Sequence, residues 1–484
     1  MSLLKIAFSG IKWNFSVSMI RVIFQLLQIS LLTRFLPKED FGLVAMALFI
    51  VQFSNIFVDM GMTPAILNRQ NSTKNEYSSI YWLNIFIALI IYGVLFFTAP
   101  LVAVFYQEPE LYNVIPILGV NVLLIAIGLQ HRAILQKEFK FKLIALIEMF
   151  SYFIGLITAL LLVLNDYGLY SLVYSTLLVS FIANSLFLFY NFKLNPISLH
   201  FKFNETKPFL NVGGYSMGST ILDFFSREFD VLIIGKMLGT ESLGVYSLSK
   251  QIVIKVISLV NPLVISVLSP LLASIQNEKE KIKSSYLKVV RYLAYINFPI
   301  YLFIIVFSKE ILFTVYGSEY TEAYPILSFL AFTYCMSAIS NPVGSLQIAT
   351  GRTDIGFKWT FLRASITPIF IYIGALVNLT MVSFNYALLS LFFIIPLWFI
   401  QLRPMASIQL KEYINQFYKP FLFLIFVIIF YYLFEENTLS NNHFLFFLKF
   451  FILIFAYFLW MFLIDKKELL IFYRTIISAI NKTR

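Results

Sequence analysis

Asn14, Ser18, Arg21, Gln25 and Gln28 follow one another at intervals of four, three, four and three residues, inside a stretch that is otherwise largely apolar. On an α-helix that spacing puts all five on one face. Shifted by 202 residues, the same positions hold Ser216, Thr220, Asp223, Arg227 and Asp230, again polar throughout. Gln52, Asn55 and Asp59 form a third polar face. Eleven ionisable groups fall inside apolar stretches: Arg21, Asp59, Glu148, Asp223, Arg227, Glu228, Asp230, Lys250, Lys255, Arg363 and Lys449. If all of them faced lipid, at roughly 2.5–3.5 kcal/mol each, the penalty would be on the order of 30 kcal/mol. Most must therefore line a wet path, pair with one another, or reach an interface.

The chemistry expected of such a path is recognition of an anionic substrate by cations. The candidate substrate-contacting set is Asn14, Arg21, Gln25, Gln28, Asp59, Asp223, Arg227, Asp230 and Lys250, with Glu148 and Arg363 as candidates for coupling to an ion. Arg227 reads equally as half of a local ion pair, because Asp223 and Asp230 lie at i−4 and i+3. Arg21 has no carboxylate on its own helix and reads as cavity lining. Lys250 and Lys255 point about 140° apart on an ideal helix, so one of the two is expected to line the path. Glu148 reads as a coupling residue or as a side chain reaching the inner interface, and Lys449 as interfacial.

The elements that hold these residues follow from composition. Of 484 residues, 60% are hydrophobic and 13% charged, and the mean hydropathy is +0.83. A soluble domain carries roughly 45–50% apolar and about 25% charged residues. Soluble and disordered chains are both excluded. The expected class is an all-α integral membrane protein with about fourteen spans. They lie near 12–34, 41–66, 80–105, 112–135, 142–164, 169–191, 209–237, 243–272, 287–308, 323–349, 358–378, 384–402, 420–434 and 443–464. The apolar runs are too long and continuous for the ten-residue alternating strands of a barrel. With the N-terminus inside, 26 Lys and Arg fall in inner segments and four in outer loops. By the positive-inside rule this places both termini in the cytoplasm, with the bacterial inner membrane as the expected location. The net charge of +11 is thus mostly topology and does not signal nucleic acid.

The chain also repeats. Residues 34–44, RFLPKEDFGLV, match 236–246, KMLGTESLGVY, pairing Leu36 with Leu238, Glu39 with Glu241 and Gly42 with Gly244. Ala133, Glu138 and Phe141-Lys142 match Ala349, Asp354 and Phe357-Lys358 at an offset of 216. Two homologous six-span halves are expected, at 1–200 and 201–405, followed by two extra helices and a tail at 406–484. Parallel repeats place a substrate path between the halves.

Soluble-enzyme chemistry finds little support. Gly214-Tyr215-Ser216-Met217-Gly218 has the G-x-S-x-G form, but it lies within an expected membrane helix rather than a strand-to-helix turn. There is no P-loop. His131, His200 and His443 are scattered, and Cys335 is the single cysteine, so no metal site is expected. The chain is not expected to be an enzyme or to need a cofactor, beyond H+ or Na+ coupling.

Several segments resemble polysaccharide repeat-unit flippases. They are Leu36–Ala47, Phe57-Val58-Asp59-Met60-Gly61 with Ala65-Ile66-Leu67, Gln136–Phe141, Asp230–Gly235, Leu238-Gly239 with Leu243–Tyr246, and Ala349–Asp354. Over about residues 10–400 the chain is similar to the Wzx-like, colanic-acid-exporter-type branch of the multidrug/oligosaccharidyl-lipid/polysaccharide exporter superfamily. That resemblance implies two lobes and alternating access. It implies an undecaprenyl-pyrophosphate-linked oligosaccharide as substrate, with cations meeting the pyrophosphate and polar stripes meeting the sugars. It also implies use of the product by the polymerase and chain-length proteins of O-antigen, capsule or exopolysaccharide synthesis. Lys255 departs from the family pattern, which favours an apolar residue or Pro there. A cation-coupled multidrug or metabolite antiporter of the same superfamily is the alternative.

Overall fold

The computed structural model describes residues 3–69, 72–192, 196–276, 278–434, 449, 451–464 and 466. Side chains are described from Ser18 onward, with a few omitted within later helices, Ser216 among them. The side chain of the expected path residue Asn14 and the tail beyond 466 lie outside the described residues.

The described chain is all-helical. Its first seven helices are α1 (Leu3–Leu32), α2 (Lys38–Asp59), α3 (Met62–Asn68), α4 (Lys74–Tyr106), α5 (Leu111–Lys137), α6 (Phe141–Leu164) and α7 (Tyr170–Phe192). There follow α8 (Phe203–Ser274), α9 (Lys279–Val306), α10 (Ser308–Tyr316), α11 (Tyr324–Ser340), α12 (Val343–Thr350), α13 (Thr353–Ala375) and α14 (Leu379–Phe392). The short α15 (Ile394–Leu397), α16 (Arg403–Ala406) and α17 (Leu410–Ile414) lead to α18 (Tyr418–Phe434). Among the described residues nine segments are long and apolar enough to cross a bilayer, and Ser18–Leu32, Tyr418–Ile429 and Phe451–Ile464 are shorter apolar helices. One of the nine, Met217–Pro262, takes in most of the two spans expected at 209–237 and 243–272.

Local chemistry sets the boundaries. α4 opens on a capping box in which Thr73 Oγ1 accepts the Glu76 N–H (3.2 Å) and the Glu76 carboxylate accepts the Thr73 N–H (2.7 Å). α2 ends where Met60 and Gly61 turn left-handed, at φ 46° and 68°. α8 comprises two helical segments that meet at a kink at Gly239, whose backbone is non-helical, at φ 81° and ψ −179°. The break between the spans expected at 209–237 and 243–272 falls at this residue. Glycine can take that positive φ without a Cβ clash. Its repeat equivalent Pro37 breaks the first half by a different route, with φ fixed at −67° and no amide proton to donate.

By contact the chain forms two compact units, residues 1–247 with 363–368, and 248–362 with 369–484. In the first, α5 packs against α2, α3, α4 and α7, and α1 lies along α6. Met62, Ile66, Ile80, Ile134 and Phe209 form an apolar cluster that joins α3, α4, α5 and the start of α8. The outer face of α4 presents Phe86, Leu89, Val94, Phe97, Leu101 and Val104, the pattern of a helix solvated by lipid rather than water. In the second unit, α9 packs against α11 and α18. Buried tyrosines tie its helices through backbone carbonyls. Tyr301 donates to Val253 (3.1 Å), Tyr316 to Leu248 (3.0 Å) and Tyr457 to Tyr295 (3.1 Å).

Candidate substrate-path residues

The polar face of α1 is directed at α6 and α7. Arg21 reaches Glu148 of α6 at 3.5 Å. The same carboxylate accepts two bonds from Arg132 of α5, at 2.9 and 3.1 Å. Gln25 is hydrogen-bonded to Tyr152, one turn further along α6. Gln28 donates to the buried Ser175 hydroxyl of α7 at 3.1 Å. The side chains of Arg21 and Arg132 remain about a third or more exposed, whereas that of Glu148 is 16% exposed. Two guanidiniums on one carboxylate leave a net positive charge, drawn from three helices. Sequence reasoning places Arg21 without an acidic neighbour because the partner lies 127 residues away. It counts Arg132 with the inner-loop bases, whereas α5 stays helical to Lys137. An arginine one turn inside a helix end, opposite an intramembrane glutamate, is the signal that reading passes over.

The stripe on α8 divides in two. Asp223 and Arg227 form an i,i+4 ion pair at 2.8 Å, both substantially exposed. Asp230 is 1% exposed, and its carboxylate accepts the Tyr246 hydroxyl at 2.7 Å and the Val231 N–H at 2.8 Å. Between the polar ends, Phe49 and Phe53 of α2 pack against Phe224 and Phe225 at ring separations of 5.2–5.6 Å. Asp59 caps α3, accepting the Thr63 N–H (3.1 Å) and hydroxyl (2.6 Å). Lys250 is buried in the second unit, and Lys255 and Arg363 are half-buried. Gly214–Gly218 lies within the helix α8, so the fold supplies no nucleophile elbow there.

Around these residues the polar surface chemistry is structural. Outside the spans, Glu205 is held below the usual carboxylate range by the Ser79 hydroxyl and by His200, Asp354 by Arg352, and Glu412 by Lys283 and the Gln409 N–H. Residues 198–205 strap onto the first turns of α4. Ser198 N–H donates to Ser78 (3.1 Å), Lys202 N–H to Ser79 (3.0 Å), and Trp82 to the Ser198 carbonyl (2.9 Å). Among the described residues no cluster of His, Cys, Asp and Glu could hold a metal ion.

Helices that expose apolar faces while pairing charges inside the bundle define a multi-pass membrane protein of transporter type. The chain matches the polysaccharide biosynthesis protein family over residues 31–325 and belongs to it. It is 29% identical over 424 residues to the teichuronic acid biosynthesis protein TuaB of Bacillus subtilis, spanning 87% of each chain. It is 26% identical over 427 residues to the lipopolysaccharide biosynthesis protein WzxC of Escherichia coli, spanning 87% of this chain and 86% of that one. Its fold is similar to that of the lipid II flippase MurJ in an inward closed conformation, with a TM-score of 0.73 at 16% identity, covering 96% of this chain and 99% of the other.

Proposed function

We infer that the protein is a flippase that carries polyprenyl-pyrophosphate-linked oligosaccharide repeat units across the bacterial cytoplasmic membrane for polysaccharide synthesis. Membership of the polysaccharide biosynthesis family supports the pathway. Within the chain, the observation that carries the reading is the Arg21–Glu148–Arg132 group, a cation-rich site held by three membrane helices. Guanidinium forks match phosphate oxygens in geometry as well as charge. Arg227 on α8, paired with Asp223 and substantially exposed, is a second guanidinium that an anionic group could engage.

In this reading the protein is a translocator and not an enzyme. It has fourteen spans, both termini in the cytoplasm, and two repeated halves that rock about the path between them. An H+ or Na+ gradient drives the cycle, with Glu148 and Arg363 as the coupling groups. The exported unit passes to a polymerase and its chain-length partners. A multidrug antiporter is less well supported, because a site for organic cations favours carboxylates and aromatics over paired arginines.

The test is deletion and complementation in the native host, with the lipid-linked oligosaccharide followed by leaflet. The deletion strain is expected to lose surface polymer and to accumulate the lipid-linked unit on the cytoplasmic side. Normal polymer and normal distribution of the unit in that strain would overturn the assignment.

A further inference from the structure

The repeat and the contacts together single out one helix crossing. The offset of 202 relates Lys38 to Thr240 and Gly42 to Gly244. A Cβ added to Gly42 would overlap the carbonyl oxygen of Thr240, and a Cβ added to Gly244 would overlap the carbonyl oxygen of Lys38. Residue 42 thus meets 240, and residue 244 meets 38, so each half of the contact is the repeat copy of the other. A contact in which i meets j and j meets i is isologous and straddles a two-fold axis. Here the two-fold relates two segments of one chain. In a transporter built from parallel repeats the path runs between the repeats, and a contact on their axis lies across it.

Two further observations belong to the same crossing. The Lys38 ammonium pairs with the Glu241 carboxylate at 3.6 Å. One turn away, the Lys236 ammonium donates to the Phe105 carbonyl and lies 5.0 Å from the Phe105 ring, which ties the break in α8 to the end of α4. A second close glycine contact, Gly61 with Gly213, joins the turn between α2 and α3 to α8. It has no glycine copy, since the equivalent positions are Leu263 and Ile11.

We propose that the Gly42–Gly244 crossing is the latch of the outer end of the path, closed in this structure and obliged to part in each transport cycle, with Lys38–Glu241 as its clasp. The latch deepens the flippase reading and rests on it for the identity of what passes. Backbone-to-backbone approach is what the two glycines provide. Any side chain at either position props the crossing open, and the two-fold relation makes the two substitutions equivalent.

The test uses the full-length protein in membranes, with Cys335→Ala as background and Lys38→Cys/Glu241→Cys as a reporter pair for a short bis-methanethiosulfonate cross-linker. Cross-linking is expected to arrest polymer export, and reductive cleavage of the linker to restore it. Gly42→Val and Gly244→Val are each expected to lower cross-linking at least tenfold and to abolish export at normal membrane levels. Should those variants fail to reach the membrane, the charge swap decides. Lys38→Glu is expected to slow export and Lys38→Glu/Glu241→Lys to recover it. Full cross-linking in both valine variants, export that continues through the cross-link, or no recovery in the swap would each overturn the latch. Glycine-dependent cross-linking in a protein whose deletion leaves the lipid-linked oligosaccharide undisturbed would retain the latch and overturn the substrate assignment.

Discussion

Glu148 offers the sharpest test of how the intramembrane charges are held. Glu148→Gln keeps the side-chain volume and removes the charge that faces Arg21 and Arg132. Arg132 donates two bonds at 2.9 and 3.1 Å, whereas Arg21 stands off at 3.5 Å. A charge-assisted hydrogen bond contributes about 1.5–3 kcal/mol, and exposed ion pairs well under about 1 kcal/mol. Both arginines are partly exposed, so the Arg132–Glu148 interaction falls near the low end of the first range, about 1.5 kcal/mol. The Arg21–Glu148 interaction falls near about 0.5 kcal/mol. Double-mutant cycles read these terms directly. Arg132→Gln and Arg21→Gln, each alone and with Glu148→Gln, are followed by reversible unfolding of the purified protein in mixed micelles with rising sodium dodecyl sulfate. The expected coupling with Arg132 exceeds that with Arg21 by about threefold. Equal couplings, a larger one with Arg21, or none for either would refute the argument that bond geometry sets the strength of this group.

The same logic extends elsewhere. Tyr246→Phe removes the hydroxyl whose hydrogen bond the buried Asp230 carboxylate accepts, and a stability loss of about 1–3 kcal/mol is expected, measured by the same unfolding assay and abolished in an Asp230→Ala background, which has no acceptor. The Glu412 carboxylate, lowered by Lys283 and the Gln409 N–H, stabilises the fold above its unfolded pKa of about 4.3. That contribution is lost as pH falls through its lower folded value. The thermal stability difference between wild type and Glu412→Gln should therefore be present at pH 6 and shrink as the pH is lowered below about 4. Arg227→Ala is expected to leave membrane insertion intact and to abolish surface polymer, scored by immunoblot of membranes and by polymer staining. Unchanged polymer would exclude Arg227 from the path.

The helices were legible because lipid leaves the backbone no alternative partner, so apolar length alone signals them. The break near Gly239 could also be read from residue type, since it depends on local chemistry. The target of the α1 stripe was not legible. Periodicity fixes which residues share a face and says nothing of which helix they meet. Gln28 with Ser175 and Arg21 with Glu148 are tertiary pairs separated by more than a hundred residues. Asp59 shows the opposite limit, because its spacing matched a polar stripe while its carboxylate is engaged in capping the next short helix. The repeat was visible as two similar turns. That those turns touch each other follows only from the folded structure.

The Tyr457–Tyr295 hydrogen bond bears on the order in which the protein is assembled. The two residues are 162 positions apart, and the donor lies on the last described helix. Ribosomes extend a chain at about 5–20 residues per second, so roughly 8–30 seconds separate the emergence of acceptor and donor. Through that interval the newly inserted α9 waits in the bilayer without its final neighbour, and its Tyr295 carbonyl lacks the regular intrahelical donor because residue 299 is a proline. Truncation before residue 450 would make the wait permanent, leaving a nascent intermediate with an exposed flank for membrane quality-control proteases to recognise.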